Sequence, residues 1–166
     1  MDRYPQVKDD IALLRLGSPL AFDEFVQAVS LPVDGEGFSG DNREFRKTGV
    51  IAGWGSTKEG GVYSPTMREA RAGILPDSQC QGYWGYFFHG PSMICAGLNA
   101  TDSCRGDSGG PLVVEFKKSP VRTVVGGIVS WGIGCGRPNR PGVYTDVAQY
   151  VPWITKIMDS YPCGVP

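Results

Sequence analysis

Hydrophobic positions along this chain fall in short runs, separated by glycine, proline and charge. Asp9-Asp10 leads into Ile11-Ala12-Leu13-Leu14-Arg15-Leu16, an apolar strand behind an acid. A strand-and-turn stretch continues from Pro19 to Pro32, ending in Ala28-Val29-Ser30-Leu31-Pro32. Residues 34–47 are rich in glycine and charge and read as a connector between two halves. Residues 56–66 read as a flexible surface loop, whereas Met67 to Ile74 alternates charged with small or apolar residues, as a half-buried strand does. Leu112–Phe116 and Val121–Trp131 predict two strands joined by a polar turn, with Gly127 marking a close backbone approach. Pro141–Val147 predicts another strand. Tyr150, Ile154 and Ile157, with Val151 and Met158, then recur at helical spacing, and Pro152 is tolerated in a first turn. No repeat or low-complexity tract stands out. The sum predicts an all-β fold closed by a short helix.

Composition sharpens this picture. The 166 residues make one domain's worth of chain, and 24 glycines with 13 prolines suit many short strands joined by turns. A formal net charge of -1 gives no electrostatic case for nucleic acid or an anionic membrane. No apolar run approaches the roughly 18 residues of a membrane-spanning helix. None of the five cysteines falls in a C-x-x-C spacing, and a single histidine leaves little for a zinc site, so neither a metal nor a cofactor is expected. Two disulfides in an oxidising, extracellular compartment account better for the cysteines. Met1-Asp2-Arg3-Tyr4 lacks the apolar core of an export signal, which implies a true beginning further upstream. Asn99-Ala100-Thr101 is a glycosylation sequon, plausible in a secreted loop.

The chemistry centres on Gly106-Asp107-Ser108-Gly109-Gly110-Pro111. A serine hydroxyl is a weak nucleophile; it needs a base beside it and donors aimed at the oxyanion it creates. The glycines let the backbone turn sharply and approach a substrate closely. The N–H groups of Gly106 and Ser108 are candidate oxyanion donors. This run resembles the nucleophile motif of the chymotrypsin/trypsin family of serine endopeptidases, and the Asp10-Ile11-Ala12-Leu13-Leu14 run resembles that family's triad-acid motif.

The resemblance implies a chymotrypsin-like double β-barrel: residues 1–34 a remnant of the first barrel, 35–47 the connector, 48–149 a complete second barrel and 150–159 a C-terminal helix. It makes Ser108 the nucleophile and Asp10 the acid that orients a histidine. It puts Asp102, six residues before Ser108, at the floor of a primary specificity pocket, where a buried carboxylate selects an arginine or lysine side chain. Ser103 adds a hydroxyl that could help hold a lysine. Ser130-Trp131-Gly132 and Gly142 would form the walls, with both glycines leaving room for a long side chain. Asp107 matches the aspartate that pairs with a new N-terminal ammonium on zymogen activation. The family pairs cysteines as Cys80–Cys95 and Cys104–Cys135, leaving Cys163 over. Partners would be Arg- or Lys-bearing protein or peptide substrates, protein protease inhibitors and the missing N-terminal part of the domain.

Departures matter as much. Nothing resembles the family's Ala-Ala-His-Cys-like motif, and His89 reads as an ordinary loop histidine rather than a base. Ser30 stands where many members carry a tethering cysteine. Gly49 and Val114 stand where the family has a further disulfide, both partners lost together. Pro141 occupies the place of an aromatic residue in sodium-activated members, so no sodium dependence is expected. Arg105, beside the nucleophile, favours acidic flanking residues in a substrate or is merely a solvated surface charge. Tyr83, Trp84, Tyr86, Phe87 and Phe88 form loop core, or else one or two line subsites for residues upstream of the cleaved bond. Without its histidine the chain alone is expected to be inactive, a fragment of a secreted trypsin-like zymogen. The alternatives are a non-catalytic binding module on the same fold, or a truncated isoform that competes for inhibitors.

Overall fold

A β-strand is stable only where its N–H and C=O groups find partners on a neighbour. In the computed structural model, which describes residues 7–38, 45–98, 101–116 and 122–161, six strands meet that condition. They are β1 (Phe45–Gly53), β2 (Arg68–Gly73), β3 (Met93–Ala96), β4 (Pro111–Phe116), β5 (Thr123–Trp131) and β6 (Gly142–Asp146). All neighbours are antiparallel, in the order β2-β1-β4-β5-β6-β3. The sheet curls until its edges meet. Ile74, just past β2, bridges Ala96 of β3, the Leu75 N–H donates to the Cys95 carbonyl at 3.0 Å, and the Gly97 N–H donates to the Gly73 carbonyl at 2.9 Å. Curling removes open edges and encloses a core.

Leu112, Val114 and Phe116 alternate inward along β4 and join Ile51, Ile94, Val124, Tyr144 and Phe38 in that core. Strand β6 is buried at every position, because a second apolar layer covers its outer face. That layer comes from a helix, α1 (Asp77–Trp84), which the aromatic-rich sequence did not suggest. Pro76 immediately precedes it and Asp77 puts a negative charge on its first turn, where the helix dipole favours one. Cys80 of α1 is bonded to Cys95 of β3, and Trp84, Phe88, Met93 and Val143 pack around the bridge. Of the aromatics between Cys80 and Cys95, Trp84 and Phe88 are therefore core, while Tyr86 and Phe87 stay exposed. A one-turn 3-10 segment leads into the closing helix α2 (Val151–Ser160), which carries Pro152 in its first turn and buries Ile154.

Two positions expected to lack a disulfide, Gly49 and Val114, are direct cross-strand partners in β1 and β4. A Cβ on Gly49 would lie 2.5 Å from Leu112 Cδ1, so Leu112 fills the space such a side chain needs. Packing by Leu112 fills this place in the core.

Other expectations fail. The strands expected at 11–16 and 19–32 do not form; within 7–38 the one ladder contact is the parallel bridge from Ser30 to Val124. Leu14 and Phe25 are left 88% and 86% exposed. An apolar run with no strand beside it has nothing to pair with. The stretch 56–66, expected as a flexible loop, is a tight hairpin: Ser56 bridges Tyr63, and the Ser56 hydroxyl donates to the Gly61 carbonyl at 2.9 Å. Asn99 of the sequon and Cys163 lie outside the described residues.

Candidate active site

Ser108 is exposed at the head of two successive turns. Asp107 N–H donates to the Cys104 carbonyl at 3.0 Å, and Gly110 N–H donates to the Asp107 carbonyl at 2.8 Å. The third residue of each turn, Gly106 and Gly109, has φ of +99° and +78°, which an L side chain rarely adopts. Asp107 fastens this loop to the end of β1. Its Oδ1 accepts from the Gly55 N–H at 2.8 Å and its Oδ2 from the Cys104 N–H at 3.0 Å. A Cβ on Gly53 or Gly55 would sit 2.2 or 2.4 Å from the Asp107 carboxylate, so both glycines make room for it. Among the described residues no cation pairs with Asp107, and neither Gly106 N–H nor Ser108 N–H donates to a protein acceptor.

Asp102 lies behind the loop. Its Oδ2 accepts from the Gly136 N–H at 2.9 Å, while its Oδ1 is buried without a partner. Burial raises its pKa to about 6, against the 3.8 of an unperturbed carboxyl. Gly142 stands so close that a Cβ there would be 2.5 Å from Asp102 Oδ1, and a Cβ on Gly132 would be 3.8 Å from the Gly142 Cα. Ser103 Oγ accepts from the Tyr144 hydroxyl at 3.2 Å. Burial pushes that phenol far up, so it remains a donor. The Cys104–Cys135 disulfide ties the segment carrying Asp102 and Ser103 to the segment carrying Gly132 and Gly136. Asp102, Ser103, Gly132 and Gly142 thus come together.

Asp10 is held from the opposite side of the sequence. Its Oδ2 accepts from the Ser130 hydroxyl at 2.6 Å and its carbonyl from the Thr145 hydroxyl at 2.8 Å; Tyr150 OH donates to Asp9 Oδ1 at 2.6 Å. Sequence reasoning gave Ser130 a pocket-wall role and missed this bond, which spans 120 residues and leaves no local signal. Strand β5 is the common support. Val129 accepts from the Gly109 N–H at 2.9 Å, and the next residue, Ser130, holds Asp10. Trp131 packs edge-on against Trp84 with ring centres 5.0 Å apart. The backbone of His89 stays within its own turn: its backbone N–H donates to Met93 Sδ at 3.3 Å and its carbonyl accepts from Ser92 N–H at 2.9 Å.

A curled antiparallel sheet presenting a serine on a Gly-Asp-Ser-Gly-Gly loop defines a β-barrel of the serine-protease class. The chain belongs to the trypsin family: the Trypsin family model matches residues 2–154. It is 39% identical to trypsin-1 of Astacus astacus, over 91% of this chain and 60% of that protein. It is 41% identical to trypsin eta of Drosophila melanogaster, over 92% of this chain and 55% of that one. Against coagulation factor XII of Cavia porcellus the identity is 42%, over 89% of this chain and 26% of the relative. The chain therefore spans 60% or less of each of these relatives.

Proposed function

We propose that these residues belong to a secreted trypsin-like serine endopeptidase that cleaves peptide bonds after arginine or lysine. The observation that carries the reading is the Asp102 carboxylate, buried with one unpartnered oxygen against Gly142. A cationic side chain reaching that oxygen gains an ion pair, and the orphaned acceptor gains its missing bond. Ser108 Oγ attacks the carbonyl that follows, and the Gly106 and Ser108 N–H groups hold the oxyanion. The proton goes to a histidine supplied from outside these 166 residues, oriented by Asp10; no hydrogen bond of His89 reaches Ser108 or Asp10. Asp107 receives the ammonium of a newly cleaved N-terminus, adding a cation to the two N–H groups it already binds. The two disulfides support an extracellular setting. Protein inhibitors offering a basic side chain would use the same slot.

The test uses the full-length protein, activated by limited proteolysis. Arginine and lysine amides should turn over far faster than phenylalanine or leucine amides. Asp102→Ser should cost the arginine substrate on the order of 10²–10⁴ in kcat/KM, as expected when one member of a desolvated charge pair is lost. Ser108→Ala should lower kcat by about 10⁶ while the fold is retained. A preference for phenylalanine, or an indifferent Asp102→Ser, would overturn the specificity; a fully active Ser108→Ala would overturn the mechanism.

A further inference from the structure

A four-residue turn such as Cys104–Asp107 can in principle be built in two forms. Types I and II share their ends and differ by a flip of the central peptide, here Arg105–Gly106; a positive φ at the third residue marks type II. In a trans peptide the C=O and N–H point in opposite directions, so the flip would reverse the aim of the Gly106 N–H. Glycine permits type II without imposing it, because it populates negative φ as readily. Something else must select the form seen.

The hairpin around residues 54–64 supplies two selectors. The Ser56 N–H donates to the Arg105 carbonyl at 2.9 Å, which holds that carbonyl on one side and leaves the Gly106 N–H on the other. The Tyr63 ring lies directly on Gly106: a Cβ there would be 2.9 Å from Tyr63 Cε1, 3.2 Å from Cδ1 and 3.1 Å from the Gly55 Cα. Tyr63 is otherwise 57% exposed. Its backbone is fixed by the bridge to Ser56 and by the Ser64 N–H donating to the Trp54 carbonyl at 2.9 Å. The ring on one side and Gly55 on the other pack closely around Gly106 and leave the turn little room to rearrange.

We propose that Tyr63 is a positioning residue for the oxyanion donors: its ring, with the Ser56 N–H, holds the Arg105–Gly106 peptide in the orientation that presents the Gly106 N–H beside Ser108. This rests on the endopeptidase reading above. Tyr63 acts through Gly106 and through the ring, not the hydroxyl.

The experiment compares Tyr63→Ala and Tyr63→Phe in the activated full-length enzyme. Tyr63→Ala should lower kcat on an arginine amide roughly 10- to 100-fold with KM within about twofold, short of the 10²–10³ lost when an oxyanion donor is removed outright. A peptidyl-arginine aldehyde, whose adduct with Ser108 places an oxygen at the same donors, should bind more weakly by a similar factor. Benzamidine, which reads only the Asp102 slot, should bind unchanged, and this titration also counts folded molecules. Tyr63→Phe should behave as wild type. Wild-type kcat and aldehyde affinity in Tyr63→Ala would overturn the inference, as would equal weakening of benzamidine and aldehyde, which would mean general loosening. A wild-type enzyme that neither binds benzamidine nor cleaves arginine amides would instead sink the endopeptidase reading itself.

Discussion

Strand β4 and the stretch from residue 11 to 33 are written in the same apolar alphabet and meet opposite fates. Leu112 and Val114 are fully buried, while Leu14 and Phe25 are almost fully exposed. Strand β4 is hydrogen-bonded on both edges, to β1 and to β5; the earlier stretch makes one ladder contact, the bridge from Ser30 to Val124. Burial here follows from pairing, since a run of leucines without a ladder has no face to turn inward. The proposed site divides along the same line. The turns carrying Ser108 and Asp102 are stapled to strands and a disulfide, whereas Asp10 sits in the unpaired region and is held by two hydroxyls, from Ser130 and Thr145. One half of the site is built by the sheet, the other by hydrogen bonds reaching out from it.

The sharpest way to break this contrast is to empty the well-paired side. Leu112→Ala should destabilise the fold by about 2–5 kcal/mol in urea denaturation, the cost of an unfilled core site. Gly49→Ala strains the same place from the opposite direction, because its Cβ would press on Leu112 Cδ1 at 2.5 Å, and should cost about 1–3 kcal/mol. Combined, the two should cost less than their sum, since the added methyl enters the space the leucine vacates. Strict additivity would mean that Leu112 does not occupy that space.

The next effect concerns a charge buried on the paired side. Asp146 is 3% exposed; its Oδ2 accepts from the Phe38 N–H at 3.2 Å and its Oδ1 from the Ala148 N–H at 3.1 Å. Burial outweighs both bonds and lifts its pKa to about 6, from an ordinary 3.8. Between those values the folded chain keeps a proton that the unfolded chain has lost. Stability from this group is therefore full below pH 3.8 and is lost as pH rises through about 6, a span worth about 3 kcal/mol. Asp102 pulls in the same direction over the same window, by less because it is more accessible to water. Denaturation midpoints at pH 4.5 and 7.5 should differ more for the wild type than for Asp146→Asn. An equal difference would show that the carboxylate is solvated.

How far the sequence disclosed all this follows the same division. Strand β2 could be read from its alternation, β4 from its apolar run ahead of a polar turn, and the glycine-rich loop around Ser108 from residues adjacent in sequence. Helix α1 could not, since its sequence, Asp77-Ser78-Gln79-Cys80-Gln81-Gly82-Tyr83-Trp84, shows no apolar stripe and is secured by a disulfide and packing rather than propensity. The strands expected before residue 33 misled because amphipathic pattern reports a capacity to pair, and pairing needs a neighbour. The contacts of Ser130 with Asp10 and of Tyr63 with Gly106 join residues remote in sequence, so only the curled sheet brings them together.

The smallest expected effect tests the comparison from its other side. Leu14→Ser removes a side chain that is 88% exposed in this chain, so it surrenders almost no burial and leaves no cavity. What remains is its influence on the unfolded ensemble, typically a few tenths of a kcal/mol. The 166-residue chain carrying Leu14→Ser, or Phe25→Ser at 86% exposure, should match the parent within about 0.5 kcal/mol in urea. Solubility should rise instead, because each change breaks up an exposed apolar surface. A loss approaching that of Leu112→Ala would mean that residues 11–33 pack in solution against something other than water, and the contrast between paired and unpaired halves would then be void.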